Sequence, residues 1–84
     1  MAIVRQNPAQ VDRRSKGALE AMCLAIVKRL PGLERTQYVE VVEIEFDDEG
    51  TNWRMGSISP PLNLDDWKRA EEAIDPWRLR FQLA

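Results

Sequence analysis

From Tyr38 to Phe46 apolar and acidic side chains trade places almost residue by residue, and after an acidic turn at residues 47–50 a second arm, residues 51–58, alternates in the same way. Period-two patterning on two consecutive arms is the signature of an antiparallel hairpin with one dry and one wet face. With Phe46 opposite Thr51 or Trp53, Val42, Ile44 and Phe46 share the dry face with Trp53 and Met55, and Glu43 or Glu45 meets Arg54 on the other. Tyr38 then continues the dry face while Val39 and Val41 fall on the wet one. That register leaves Glu40 pointing inward, so a bulge is expected near Glu40 or Val41. The turn is either a two-residue Glu49-Gly50 connection or a four-residue loop over 47–50.

A two-stranded sheet is marginal alone, so helices must cover it or a third strand must join it. Upstream, Leu19, Met22, Cys23, Ile26 and Leu30 form a helical stripe. Asn7-Pro8 reads as an N-cap and first helical position, with a later start near Arg14 or Ser15 as the alternative because Gly17 weakens the first turns. Pro31-Gly32 stops this helix. Downstream, Pro60-Pro61 ends the second arm, and Asn63 caps a second helix with Asp65 and Asp66 in its first turn. Trp67, Ala70, Ile74, Trp77 and Phe81 keep helical spacing across Pro76, yet Trp77, Leu79, Phe81 and Leu83 also alternate as a strand would. The longer pattern favours a kinked or restarted helix. Residues 2–5, residues 79–83 and the equivalent edge of a second subunit are the candidates for a third strand.

Eighty-four residues without a linker or repeat make one domain, residues 1–84, with residues 1–7 expected to be flexible or a short edge strand. A chain this short buries roughly 60–65% of its unfolded surface, so its stability margin is thin. No apolar run reaches membrane-span length and no signal peptide is evident, which leads to the expectation of a cytoplasmic protein.

Chemistry is scarce. The chain has no histidine and one cysteine, which argues against zinc sites, His-dependent triads and an internal disulfide. Cys23 sits in the apolar middle of a helix and reads as core. The acidic stretch 47–52 lacks the alternating ligands of an EF-hand and reads as a soluble turn. Trp53, Trp67 and Trp77 fall at core spacing, and Asn52 and Arg54, beside Trp53, are the first suspects for a polar contact. No catalytic, cofactor-binding or metal-ligating residue is assigned, and no enzyme, cofactor or small-molecule ligand is expected.

Charge is unevenly spread. Residues 1–35 hold seven basic and three acidic side chains, residues 36–66 one basic and eight acidic, and residues 67–84 four basic and three acidic. Such polarity suits head-to-tail pairing or a charged partner. The stretch 18–27 is apolar around more than one side, which suggests a second contact for the first helix. Ala21, Leu24, Ala25 and Val27 are therefore the candidate self-association face. Arg13, Arg14, Lys16, Lys28 and Arg29 form a candidate basic flank for phosphates, opposed by the acidic hairpin.

Pro31-Gly-Leu-Glu34, Tyr38-Val-Glu-Val41, Thr51-Asn-Trp-Arg-Met-Gly56 and Arg80-Phe-Gln-Leu83 together resemble a group of short uncharacterised proteins from rhizobia and related alphaproteobacteria. The resemblance covers about residues 19–83 and implies an α-β-β-α order without a function. Leu33 stands where that group often has cysteine, Met55 where it has valine, and the Asp75-Pro76 break is atypical.

The expected fold is a small single α+β domain, α-β-β-α, in which two helices cover one face of an antiparallel hairpin. The expected role is a non-enzymatic interaction module pairing with itself as a homodimer or with another protein. The alternative is a small regulatory nucleic-acid-binding domain using the basic flank.

Overall fold

The computed structural model of the chain describes residues 12–84. Along the chain run β1 (Asp12–Arg14), α1 (Lys16–Lys28), β2 (Tyr38–Glu43), β3 (Trp53–Ser59), α2 (Leu64–Arg80) and β4 (Phe81–Leu83). The α+β class, the hairpin and its two helices are as the sequence leads one to expect. Two short strands are added, and they form a separate sheet: β1 pairs parallel with β4, Asp12 opposite Phe81 and Arg14 opposite Leu83. The third-strand candidate at 79–83 thus supplies a strand that joins β1 and not the hairpin; the one at 2–5 lies outside the described residues.

Helix α1 takes the later of its two expected starts. Ser15 is the N-cap, its hydroxyl accepting from the Ala18 amide at 3.2 Å, while residues 12–14 are extended. The Asn7-Pro8 start falls outside the described residues. Leu19, Cys23 and Val27 are fully buried, with Met22, Ile26 and Leu30 packed beside them. Past the Arg29 cap, Gly32 takes a left-handed φ of 87°, which a β-carbon would disfavour.

The hairpin pairs in a different register from the expected one, and the dry face of its first arm is inverted, while Trp53 and Met55 on the second arm face the core as expected. Glu43, not Phe46, lies opposite Trp53, and Val42 is opposite Arg54. Val39 and Val41 are buried with Trp53, Met55 and Ile58, whereas Tyr38 and Phe46 are exposed and Val42 and Ile44 half-buried. The reason is Glu40. Turning Val42 and Ile44 inward would turn Glu40 inward as well, and a buried unpaired carboxylate costs several kcal/mol. Two partly exposed aliphatic side chains cost less. With Val39 and Val41 inward, Glu40 stays at the surface and accepts from the Ser57 hydroxyl at 3.2 Å. The bulge expected near Glu40 and Val41 is present, and Gly56 is its extra residue on β3. The turn is the four-residue form, with Gly50 at φ 82° and its amide donating to the Asp47 carbonyl at 3.0 Å.

Val42 lies tightly over the bulge. A β-carbon at Gly56 would fall 2.6 Å from Val42 Cγ1, on a stiff β-branched side chain that cannot swing aside. Gly56→Ala is expected to destabilise the domain by about 1–3 kcal/mol through overpacking. In a chain that also carries Val42→Ala most of that loss is recovered, so urea midpoints of the double-mutant cycle should show strong coupling. Additive losses would show that Val42 is not what Gly56 accommodates.

Helix α2 starts at Asn63, whose side-chain oxygen accepts from the Asp66 amide at 2.8 Å, and continues through Pro76 to Arg80. Ala70 and Ile74 are buried, with Trp67 and Phe81 against the same core. The chain then turns extended at Phe81, so both readings of the C-terminal pattern hold over successive residues.

Candidate interaction surface

Alternation along β2 puts Val42 on the side of the sheet away from Val39 and Val41, and hence away from α1. Beyond the last ladder pair the two arms stay joined by the Ile44 amide donating to the Asn52 carbonyl at 2.9 Å. Here Glu43, Ile44, Glu45, Phe46 and Asn52 line an open cleft of about 380 Å³. Phe46 is 62% exposed, a large ring held in water at the hairpin's far end. Two acidic and two apolar residues thus border one concavity, together with the largely buried Asn52.

The backbone that presents this cleft is braced from both edges. On the β2 edge, Glu20 of α1 accepts from the Val41 amide at 3.0 Å and from the Tyr38 hydroxyl at 3.4 Å. A helix carboxylate therefore occupies an edge donor that would otherwise invite another strand. Partial desolvation, followed by the carboxylates of Glu20 and Glu40, raises the Tyr38 phenol above its ordinary pKa. On the β3 side, the Asn52 side chain exchanges two hydrogen bonds with the Leu83 backbone, at 3.0 and 2.8 Å. Trp53 Nε1 donates to the Phe81 carbonyl at 2.8 Å. The polar suspect Asn52 is thus a structural strut that mimics a strand partner for β4. Arg54 is exposed, its guanidinium donating to the Met55 carbonyl at 3.1 Å.

Beneath the turn, Asp47 accepts from the Thr51 hydroxyl and amide, from the Glu49 amide and from Arg78. Hydrogen bonds from the Thr51 hydroxyl and then its amide hold the Asp47 carboxyl below its ordinary pKa, with smaller help from Glu49 and Arg78. A carboxyl depressed on folding contributes stability above its unfolded pKa and loses it as pH falls through the depressed folded value. Urea midpoints should therefore fall below about pH 4 in the wild type and fall less steeply in Asp47→Asn. Superimposable acid limbs would remove Asp47 from that account.

The other sequence candidates are dispersed. Val27 is fully buried in the chain's own core and drops out of the self-association face. Of the rest, Ala21 and Ala25 are exposed and Leu24 is half-buried. The basic flank is not one stripe. Arg13 and Arg14 lie on β1, Lys16 opens α1, and Lys28 and Arg29 end it, about 18 Å away along the helix. The Arg14 guanidinium is already engaged, 3.3 Å from Asp12 and 5.1 Å from the Phe81 ring centre. Cys23 is buried, and desolvation followed by the Glu20 charge pushes its thiol up to about 12, so it remains protonated at neutral pH. Of the tryptophans, Trp53 is fully buried and Trp67 and Trp77 partly so.

Sequence reading missed the cleft because it assigned Ile44 and Phe46 to the core. The signal that could have exposed this was Glu40, which cannot share a dry face with Val42. Among the described residues, no group of three or more His, Cys, Asp or Glu side chains is placed to hold a metal ion, and no helix is long and apolar enough to cross a membrane. No protein-family model, curated protein or solved structure matches this chain.

Proposed function

We propose that this chain is a non-enzymatic protein-interaction module whose contact surface is the outer, far end of the hairpin rather than α1. One observation supports this reading above the others: Phe46 stands 62% exposed beside half-buried Ile44 in a cleft on a backbone braced at both edges. A domain of this size has little apolar side chain to spare, and leaving an aromatic ring in water forgoes about 1.5–3 kcal/mol of burial. A partner that covers Phe46 recovers it. Bracing keeps the cleft formed before binding, which lowers the ordering cost of association.

Site-specific photocrosslinking tests the reading. With Phe46 replaced by p-benzoylphenylalanine, illumination in cells is expected to give a discrete adduct that the same probe at exposed Glu72, on α2, does not give. Equal labelling at the two positions, or none at 46, would overturn the proposal. The adduct's mass also separates a second copy of the chain from a different protein.

A further inference from the structure

The cleft that carries the proposed function also has a charge, and from it we infer the class of its occupant: a cationic peptide segment that bears an apolar side chain. This inference rests on the interaction reading above. The hairpin end holds five carboxylates in seven residues, Glu43, Glu45, Asp47, Asp48 and Glu49. Among the described residues only Asp47 has a cationic partner, Arg78 at 3.4 Å. Glu43 and Glu45 line the cleft itself and have neither an ion pair nor a side-chain hydrogen bond among the described residues.

The apolar and acidic elements are interleaved and not merely adjacent. Ile44 lies between Glu43 and Glu45 in sequence, Phe46 follows, and all four residues border one open concavity. An aliphatic or aromatic side chain of the ligand covers Ile44 and Phe46, while lysine or arginine on either side of it meets Glu43 and Glu45. Charge argues against a symmetric contact between two copies, which would bring two such carboxylate clusters together with Arg54 as the lone cation in residues 36–66 of each chain. Strand addition along β2 is opposed by Glu20, which already holds the Val41 amide. The occupant therefore docks against side chains.

The test uses the full chain and two short fluorescein-labelled peptides, one alternating lysine and leucine, the other with glutamate for each lysine, read by anisotropy at low salt. The lysine peptide is expected to bind and the glutamate peptide not. Affinity should fall roughly tenfold in Glu43→Gln/Glu45→Gln and, separately, roughly tenfold in Phe46→Ser, a change at an exposed site that leaves the melting temperature near wild type. Added salt should weaken the wild-type complex and barely alter binding to the glutamine variant. Failure of the lysine peptide to bind, or equal binding to all three proteins, overturns the inference. So does a wild-type dimer in sedimentation that Phe46→Ser dissolves, since the occupant is then a second copy. In each of these cases a specific adduct at position 46 would leave the interaction reading standing, whereas its absence would remove that reading too.

Discussion

Trp53→Ala is expected to leave the chain largely unfolded at room temperature. Trp53 is the largest fully buried side chain, it shares the dry face of the hairpin with Val39 and Val41 in the core, and its indole N–H supports the Phe81 carbonyl. Truncating a buried tryptophan costs about 3–5 kcal/mol from lost burial and the residual cavity. The Phe81 carbonyl loses its donor in the same step, which adds to the loss. An 84-residue domain has only about 4–13 kcal/mol in total, so the variant sits at or below its folding limit. The measurement is a urea titration by far-UV circular dichroism. Trp53→Phe retains most of the apolar area without the N–H and should fall in between. A near-native midpoint for the alanine variant would mean that the helices hold the core without the hairpin's tryptophan.

The second large effect is expected at Arg78. Its Nε donates to the Trp53 carbonyl at 2.8 Å, Nη2 reaches Thr51 Oγ1 at 3.1 Å and Asp47 at 3.4 Å, and Nη1 lies 3.5 Å from Asp75. One side chain of α2 thereby fastens the edge of β3, the turn and its own helix. Arg78→Ala should destabilise the fold by about 2–3 kcal/mol, mostly from the strand carbonyl and the Thr51–Asp47 pair left without their cationic donor. Arg78→Lys should recover little, because an ammonium cannot reproduce the planar fork that serves four acceptors at once. The same titration reads this out, and hydrogen exchange at Thr51 and Trp53 should quicken in both variants. Full rescue by lysine would reduce Arg78 to a point charge.

Much of this architecture was legible in local pattern, and the parts that were not depend on long-range docking. The hairpin, its bulge, the Asn63 cap and the Ala70–Ile74 stripe each follow from spacings within one segment. The choice of dry face was not decided locally, because Val39 and Val41 on one side and Val42, Ile44 and Phe46 on the other are both apolar. Only the position of α1, together with the cost of burying Glu40, selects between them. β1 was invisible for a different reason: Asp-Arg-Arg has no strand pattern, and its partner Phe81-Gln-Leu lies at the opposite end of the described chain. The basic flank failed as a unit because one extended residue run and one helix separate its members. The candidate cleft followed from the same misread face, so its residues were named in the sequence but placed on the wrong side of the sheet.

The parallel pairing of β1 with β4 also has a mechanical meaning. Tension entering ahead of Asp12 and leaving beyond Leu83 draws these two strands past each other along their common axis. Their ladder is then loaded in shear, with its hydrogen bonds strained together, instead of being unzipped one at a time. Asn52 and Trp53 hold β4 from its other side and share that load with the hairpin. Force applied between Asp12 and Leu83 is thus expected to meet a short shear clamp, and a pull applied across the hairpin turn instead to peel it open.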